Sequence, residues 1–265
     1  MIIQEHDGGW LLFRQTDHAL LSAAYARAWG NDLFPSLERR AELLVAAARH
    51  DDGWADWELS PTLRPNGEPV DFIAIPVSEH VPLYRRGIDL VEAEDPYAGL
   101  VASMHGERLY TRPFHPGMEP RIDHLHGRDR ELADAYVDAE RARQERLLDS
   151  SRAERHVAEE AWRLLQVWDR LSLLVCMSPL TEGTKQTMPA VATASGDVRI
   201  EAFGEGGDLV CYPYPFADDP VRFEVAGVRT SCRTWGSQAA YRDDFRSAER
   251  VVLSFRCRSV SSPRS

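Results

Sequence analysis

The apolar positions of this chain change period once. From Gln15 to about Met177 they recur every three to four residues, as on the buried faces of helices; after Pro179 they fall into short β-prone runs. Gln15–Trp29 (QTDHALLSAAYARAW) predicts a helix with Thr16 or Asp17 as N-cap and Gly30 just past its end. Glu38–His50 has apolar residues at 41, 44, 45 and 48, and Gly53 follows, so His50 and Asp51 fall at a helix C-terminus. Asp56–Val91 is dense in Pro and Gly and reads as a long connection with a short helix near Tyr84–Arg86. Asp95-Pro96 opens a helix over Tyr97–His105 that Gly106 closes. Residues 107–127 are irregular, and two amphipathic helices follow near 129–149 and 151–177.

Beyond Pro179, Val198–Phe203, Leu209–Tyr214, Arg222–Val225 and Val251–Arg256 are separated by Gly, Pro and Asp, and predict an antiparallel sheet. The expected fold is therefore mainly α. A helical core over residues 10–178, within a domain 1–178, carries a β-rich accessory region, 179–265, packed on it.

Composition narrows the function. A net charge of −11 is wrong for a general nucleic-acid binder, which needs a basic surface to displace counterions. No apolar run nears the roughly 20 residues that span a bilayer. The start, Met1–Trp10, lacks the basic and apolar segments of a signal peptide. Cys176, Cys211, Cys232 and Cys257 form no CxxC pair and suit reduced, buried thiols, so a cytoplasmic protein is expected.

The chemistry resides in an ordered series: His18, the adjacent pair His50-Asp51, His80, His105 and Asp169. Imidazole and carboxylate without thiolate suit zinc, iron, manganese, nickel or cobalt rather than an iron–sulfur cluster. Asp169 sits within the apolar period of its helix, where a carboxylate is costly unless paired or bound to metal. His6, His124, His126 and His156 read as structural or exposed, and His115 stays open.

With these residues in that order, the chain resembles the HD superfamily: a His-bearing helix, a helix ending in His-Asp, and a late Asp within Asp-Arg-Leu, over residues 15–175. Its HDDGW and SMHG stretches also resemble an uncharacterised bacterial branch of that superfamily. The resemblance implies an all-helical HD-like core in which His18, His50, Asp51 and Asp169 share one metal. It implies further that His80 and His105 hold a second, with Asp51 bridging, making one or two divalent ions per chain. Many HD enzymes carry Lys or Glu one turn after the aspartate, where this chain has Trp54. Either Asp52 takes the acid/base role, another residue does, or the chemistry differs.

The expected function is a metal-dependent phosphohydrolase acting on a small phosphate ester or nucleotide-like substrate, with Arg85, Arg86 and Lys185 as candidate phosphate-binding residues. The alternatives are a di-iron oxygenase using the same ligands and a non-catalytic metal- or ligand-binding protein. Trp54, Trp57, Phe72, Tyr84, Tyr110 and Phe114, in or beside the two irregular stretches, are candidates to shape a pocket for a small molecule.

Overall fold

A computed structural model describes all residues except 114–118, 182, 184, 194 and 261–265. The chain opens with a hairpin rather than a helix. β1 (Ile2–His6) turns at Asp7-Gly8 into β2 (Gly9–Phe13), with Gly8 at φ 81°, a left-handed conformation that glycine adopts without a Cβ penalty. Helix α1 (Gln15–Ala28) follows at once. Neither Thr16 nor Asp17 caps it; the Gln15 N–H donates to Glu58 Oε1 at 2.6 Å, which satisfies one of the free donors of the first turn.

α2 (Arg40–Arg49) ends with His50 as its C-cap, and a 3-10 turn, Asp52–Trp54, leads into the single-turn α3 (Ala55–Glu58). Gly53 is required here. A Cβ at 53 would overlap the Leu83 carbonyl, and one at Gly87 would meet the Gly53 nitrogen at 2.8 Å. The turn after Asp51 thus lies backbone to backbone against α4 (Val77–Glu94).

The expected loop at 56–91 is, in its second half, this 18-residue helix. Val77, His80, Val81, Tyr84, Ile88 and Val91 form its buried stripe. Pro82 masked that pattern; the ring faces solvent, where water can serve the carbonyl deprived of its helical donor. Asp95 caps α5 (Pro96–Thr111) by accepting from Ala98 N–H at 2.8 Å. α5 does not stop at Gly106. That glycine admits the crossing of Tyr136, from α6 (Gly127–Ser151), whose hydroxyl a Cβ would overlap. His105 is therefore mid-helix, nearly every residue of α5 from Tyr97 to Glu107 being buried. α7 (Arg155–Met177) matches its apolar period and buries Leu165, Trp168, Leu171 and Val175.

The remaining elements are β3 (Gln186–Thr193), β4 (Gly196–Glu205), β5 (Asp208–Tyr212), β6 (Val221–Arg229), α8 (Gln238–Ser247) and β7 (Glu249–Ser259). The strands form one seven-stranded sheet in the order β1-β2-β6-β7-β5-β4-β3, curled into a half-barrel. Every neighbouring pair is antiparallel except β5–β7. α1 lies on β6, and α7 on β1 and β3. Tyr25, Trp29, Trp168, Phe216 and Phe223 join these helices to the sheet in a chain of ring contacts. A second apolar cluster, in which α8 residues Tyr241 and Phe245 meet Leu12, Val228 and Trp235, packs beside β2 and β6.

The mainly α expectation, with its all-helical HD-like core, is thus corrected. The protein is α/β, about half helical, with a large mixed sheet. The first thirteen residues are strands, and they enter the sheet by pairing β2 with β6. The sheet is also not purely antiparallel, because β7 returns after α8 and runs parallel to β5. No helix among the described residues is long and apolar enough to cross a membrane.

Candidate metal centre

Asp169, which the sequence placed on an apolar helix, lies in a polar stripe on α7. Gln166, Asp169 and Ser172 follow one another at intervals of three, so they share a helix face. All three are buried. Asp169 Oδ1 is 3.9 Å from His18 Nε2 and 3.7 Å from His50 Nε2. Asp51, beside His50, places Oδ2 at 2.9 Å from His18 Nε2 and 3.7 Å from His50 Nε2. His18, in the first turns of α1, and His50 meet edge to face with ring centroids 5.2 Å apart. Ligand atoms of His18, His50 and Asp51 all lie within 4.8 Å of one another. His18, His50, Asp51 and Asp169 are each no more than 5% exposed.

Each histidine of the series is held through Nδ1. His18 Nδ1 meets Ser172 Oγ at 2.7 Å, and Ser172 donates in turn to the Asp169 carbonyl at 2.7 Å. His50 Nδ1 faces the Ala47 carbonyl at 3.0 Å, which only accepts, so Nδ1 carries a proton and Nε2 is the nitrogen turned toward the carboxylates. His80 Nδ1 meets the Tyr110 hydroxyl at 2.7 Å, and His105 Nδ1 meets the Gln166 amide at 2.7 Å. Tyr84 donates to Asp51 Oδ1 at 2.8 Å, fixing the carboxylate from its other side.

Burial and charge act against each other throughout the centre. Burial alone would raise the Asp51 carboxyl, but His50 and His18 outweigh it and hold it well below the carboxylate range. Asp169 is lowered in the same way, against burial, with His50 and His105 the main opposing groups. Burial would lower His50, yet Asp51 and Asp169 push it up to about 9. The two buried carboxylates thus attract positive charge to the space between them, and His50 responds to both. Burial keeps His80 and His105 neutral, lowered to about 3 and about 4, the form in which imidazole binds metal.

The donor set fits a divalent ion. The four carboxylate–imidazole separations, 2.9–3.9 Å, bracket the ligand–ligand edge of about 3.0–3.4 Å that follows from bonds of about 2.1 Å around one ion. His50 Nε2 is buried without a hydrogen-bond partner, a costly arrangement that a bound cation would relieve.

A cavity of about 530 Å³ opens onto this centre, with His18, Asp51, His80, His105 and Asp169 in its lining; His50 alone of the series does not line it. His80 lies on a helix rather than in a loop, with its ring 4.5 Å from that of Tyr84. Phe72 and Tyr84 also line the cavity, while Phe114 and His115 fall outside the described residues.

The other candidates lie elsewhere. Asp52 is absent from the lining, and its Oδ2 accepts from Arg49 Nε at 2.6 Å. Arg85 and Arg86 are exposed on α4, the latter paired with Asp56. Lys185 pairs with Glu201 at 2.7 Å. The arginines that do reach the cavity are Arg112 and Arg121, with His124 and Glu119, a 3.7 Å pair, nearby in the lining. Sequence reasoning missed these two, and missed Gln166, Ser172, Tyr84 and Tyr110 as supports. For Gln166 and Ser172 a signal existed: polar residues three positions either side of Asp169 on an apolar helix.

Comparison with known proteins finds no match among curated proteins and none among solved structures. Residues 1–230 match a family described as a protein of unknown function, DUF3891. The HD resemblance is overturned on both counts, since the matching family is a different one and the half-barrel sheet is not an HD fold. With 230 of its 265 residues covered, strands β1 to β6 and the whole His/Asp cluster included, the chain belongs to the DUF3891 family.

Proposed function

We propose that the protein is a metal-dependent hydrolase of small phosphate esters, with one divalent ion held by His18, His50, Asp51 and Asp169. The observation that carries this reading is the shared anchoring of the histidines. All four are fixed through Nδ1 by Ser172, Ala47, Tyr110 and Gln166, leaving Nε2 as the remaining ring nitrogen. Supporting groups of this kind orient metal-binding imidazoles and set their tautomer. A structural hydrogen-bond network would instead satisfy both ring nitrogens, and His50 Nε2 is left without a partner.

A divalent ion there would supply Lewis acidity, lowering the pKa of a coordinated water and drawing charge from phosphoryl oxygens. The chain's own residues do the rest. Tyr84 keeps Asp51 oriented by donating to Oδ1. Ser172 ties His18 to the backbone of α7. Burial of the cluster strengthens every charge interaction within it by keeping bulk water out. A cytoplasmic setting suits four cysteines that are all free.

Elemental analysis of protein purified without added metal or chelator tests the reading. About one zinc, manganese, iron, nickel or cobalt per chain is expected, lost in His50→Ala and in Asp169→Ala, followed by phosphate release from aryl phosphates with the ion found. A stoichiometry of two would add His80 and His105 to the ligand set. A chain that takes up none of these ions removes the proposal.

A further inference from the structure

We infer that Arg121 is the anion-recognition residue of this cavity, and that the ligand it selects is a phosphate monoester on an apolar body. The inference rests on the hydrolase reading for the role of the ion, but on separate residues.

A divalent ion between Asp51 and Asp169 makes a centre with little net charge, since two carboxylates balance it. A phosphate needs further positive charge on the cavity wall. Arg121 supplies it. It lines the cavity, half buried, in the short 3-10 segment Arg121–His124. Its Nη2 donates to the Ile75 carbonyl at 3.2 Å, and its guanidinium lies 5.2 Å from the centre of the Tyr110 ring. Among the described residues it has no carboxylate within 4.0 Å. The side chain is thus aimed by a carbonyl and a ring, neither of which neutralises it. Because several guanidinium N–H groups remain, the fork is able to take two phosphate oxygens at once, which a lysine cannot.

The position relative to the metal cluster is also fixed. Tyr110, the ring under Arg121, is the residue that holds His80 Nδ1. Arg112, exposed at the end of α5, adds a second cation to the same lining.

The apolar part of the wall sets the ligand's body. Phe72, Ile73, Leu109, Leu173 and Met177 line the cavity without a strong hydrogen-bonding side chain, while Gln15, Tyr84, Glu119 and His124 are polar members of the same lining. A volume of about 530 Å³ is within the range of small-molecule sites, roughly 300–1,000 Å³. Against those five apolar side chains a sugar or polyol leaving group would lose its water, whereas an aryl or alkyl group gains by burial.

The test measures binding by the full chain, loaded with the metal it retains, to inorganic phosphate, phenyl phosphate, glycerol phosphate and benzoate. Phenyl phosphate should bind most tightly. Arg121→Ala should weaken inorganic phosphate and phenyl phosphate by about tenfold to a hundredfold, the range for one charge-assisted contact. Arg121→Lys should recover part of that loss. Metal content and thermal midpoint should match wild type in both variants, which separates lost recognition from lost folding. Unchanged phosphate affinity in Arg121→Ala overturns the assignment. Glycerol phosphate binding as well as phenyl phosphate overturns the apolar body, and benzoate doing so overturns the phosphate. If the chain takes up no metal, the same titrations on the metal-free protein still decide. A phosphate affinity that depends on Arg121 keeps this inference while the hydrolase reading fails; one that does not ends both.

Discussion

At the scale of single residues, the supports of the cluster matter as much as the candidate ligands. Tyr84 Oη reaches Asp51 at 2.8 Å and Ser172 Oγ reaches His18 at 2.7 Å, yet neither belongs to the His/Asp set. Removing such a partner leaves the donors present but loosely aimed, which typically lowers metal affinity tenfold to a hundredfold. Tyr84→Phe and Ser172→Ala should each fall by about that much in a metal-buffered titration. A variant that binds as tightly as wild type would show that its support is incidental. Gly53 sets a stricter limit. A methyl group there meets the Leu83 backbone, not a flexible side chain. Gly53→Ala should therefore destabilise the fold by about 1–3 kcal/mol, the usual cost of overpacking, and weaken metal binding as the turn after Asp51 shifts. Denaturant titration beside metal titration reads both effects.

At the scale of elements, legibility followed the strength of each local signal. α1, α2, α6 and α7 were readable because apolar residues recur on one face over several turns. His18, His50, Asp51 and Asp169 were readable as a set by residue type and order, and the fold brings them together. α4 was hidden by Pro82 and by the run of prolines before it, although its buried positions keep a helical period. The end of α5 was misplaced because Gly106 has two readings, a C-cap or a close helix crossing, and only the position of Tyr136 separates them. The β1–β2 hairpin had a direct signal in Asp7-Gly8, flanked by residues too few to show a period. Strand partners were not legible at all, since the β5–β7 pairing depends on where α8 returns the chain. The Asp95 cap gives this scale its prediction. Asp95→Ala removes the acceptor for Ala98 N–H and should cost about 0.5–2 kcal/mol of stability without altering metal content. Leu171→Ala, in the core of α7, should cost more, about 2–5 kcal/mol.

At the scale of the whole molecule, the sheet has its own electrostatic fastening. Asp208, at the start of β5, accepts from Arg256 at 2.8 and 3.0 Å and from Arg258 at 3.0 Å, both on β7. The hydrogen bond from Arg256 is the main reason its carboxyl lies below the ordinary value. A carboxylate with a depressed folded pKa adds stability above its unfolded value, near 3.8, and loses it as pH falls through the folded value. Asp208→Asn should therefore be less stable than wild type near neutral pH, by about 1–3 kcal/mol. The gap should narrow below pH 4, and denaturant curves at the two pH values would show a constant gap if the pairing contributes nothing. The same sheet also dictates an order of events. Beyond the hairpin, β2 is joined to the sheet by β6, through Leu11 with Arg229 and Leu12 with Val228, and Trp10 N–H bonds Thr230 Oγ1 across 220 residues. On the ribosome, the first hairpin must wait with one strand edge unpaired until almost the whole chain has emerged. That edge is an invitation to other chains throughout synthesis. Slow elongation or a stalled ribosome should therefore harm the pairing of this hairpin more than the packing of α4, α5 and α6, whose partners lie closer in sequence.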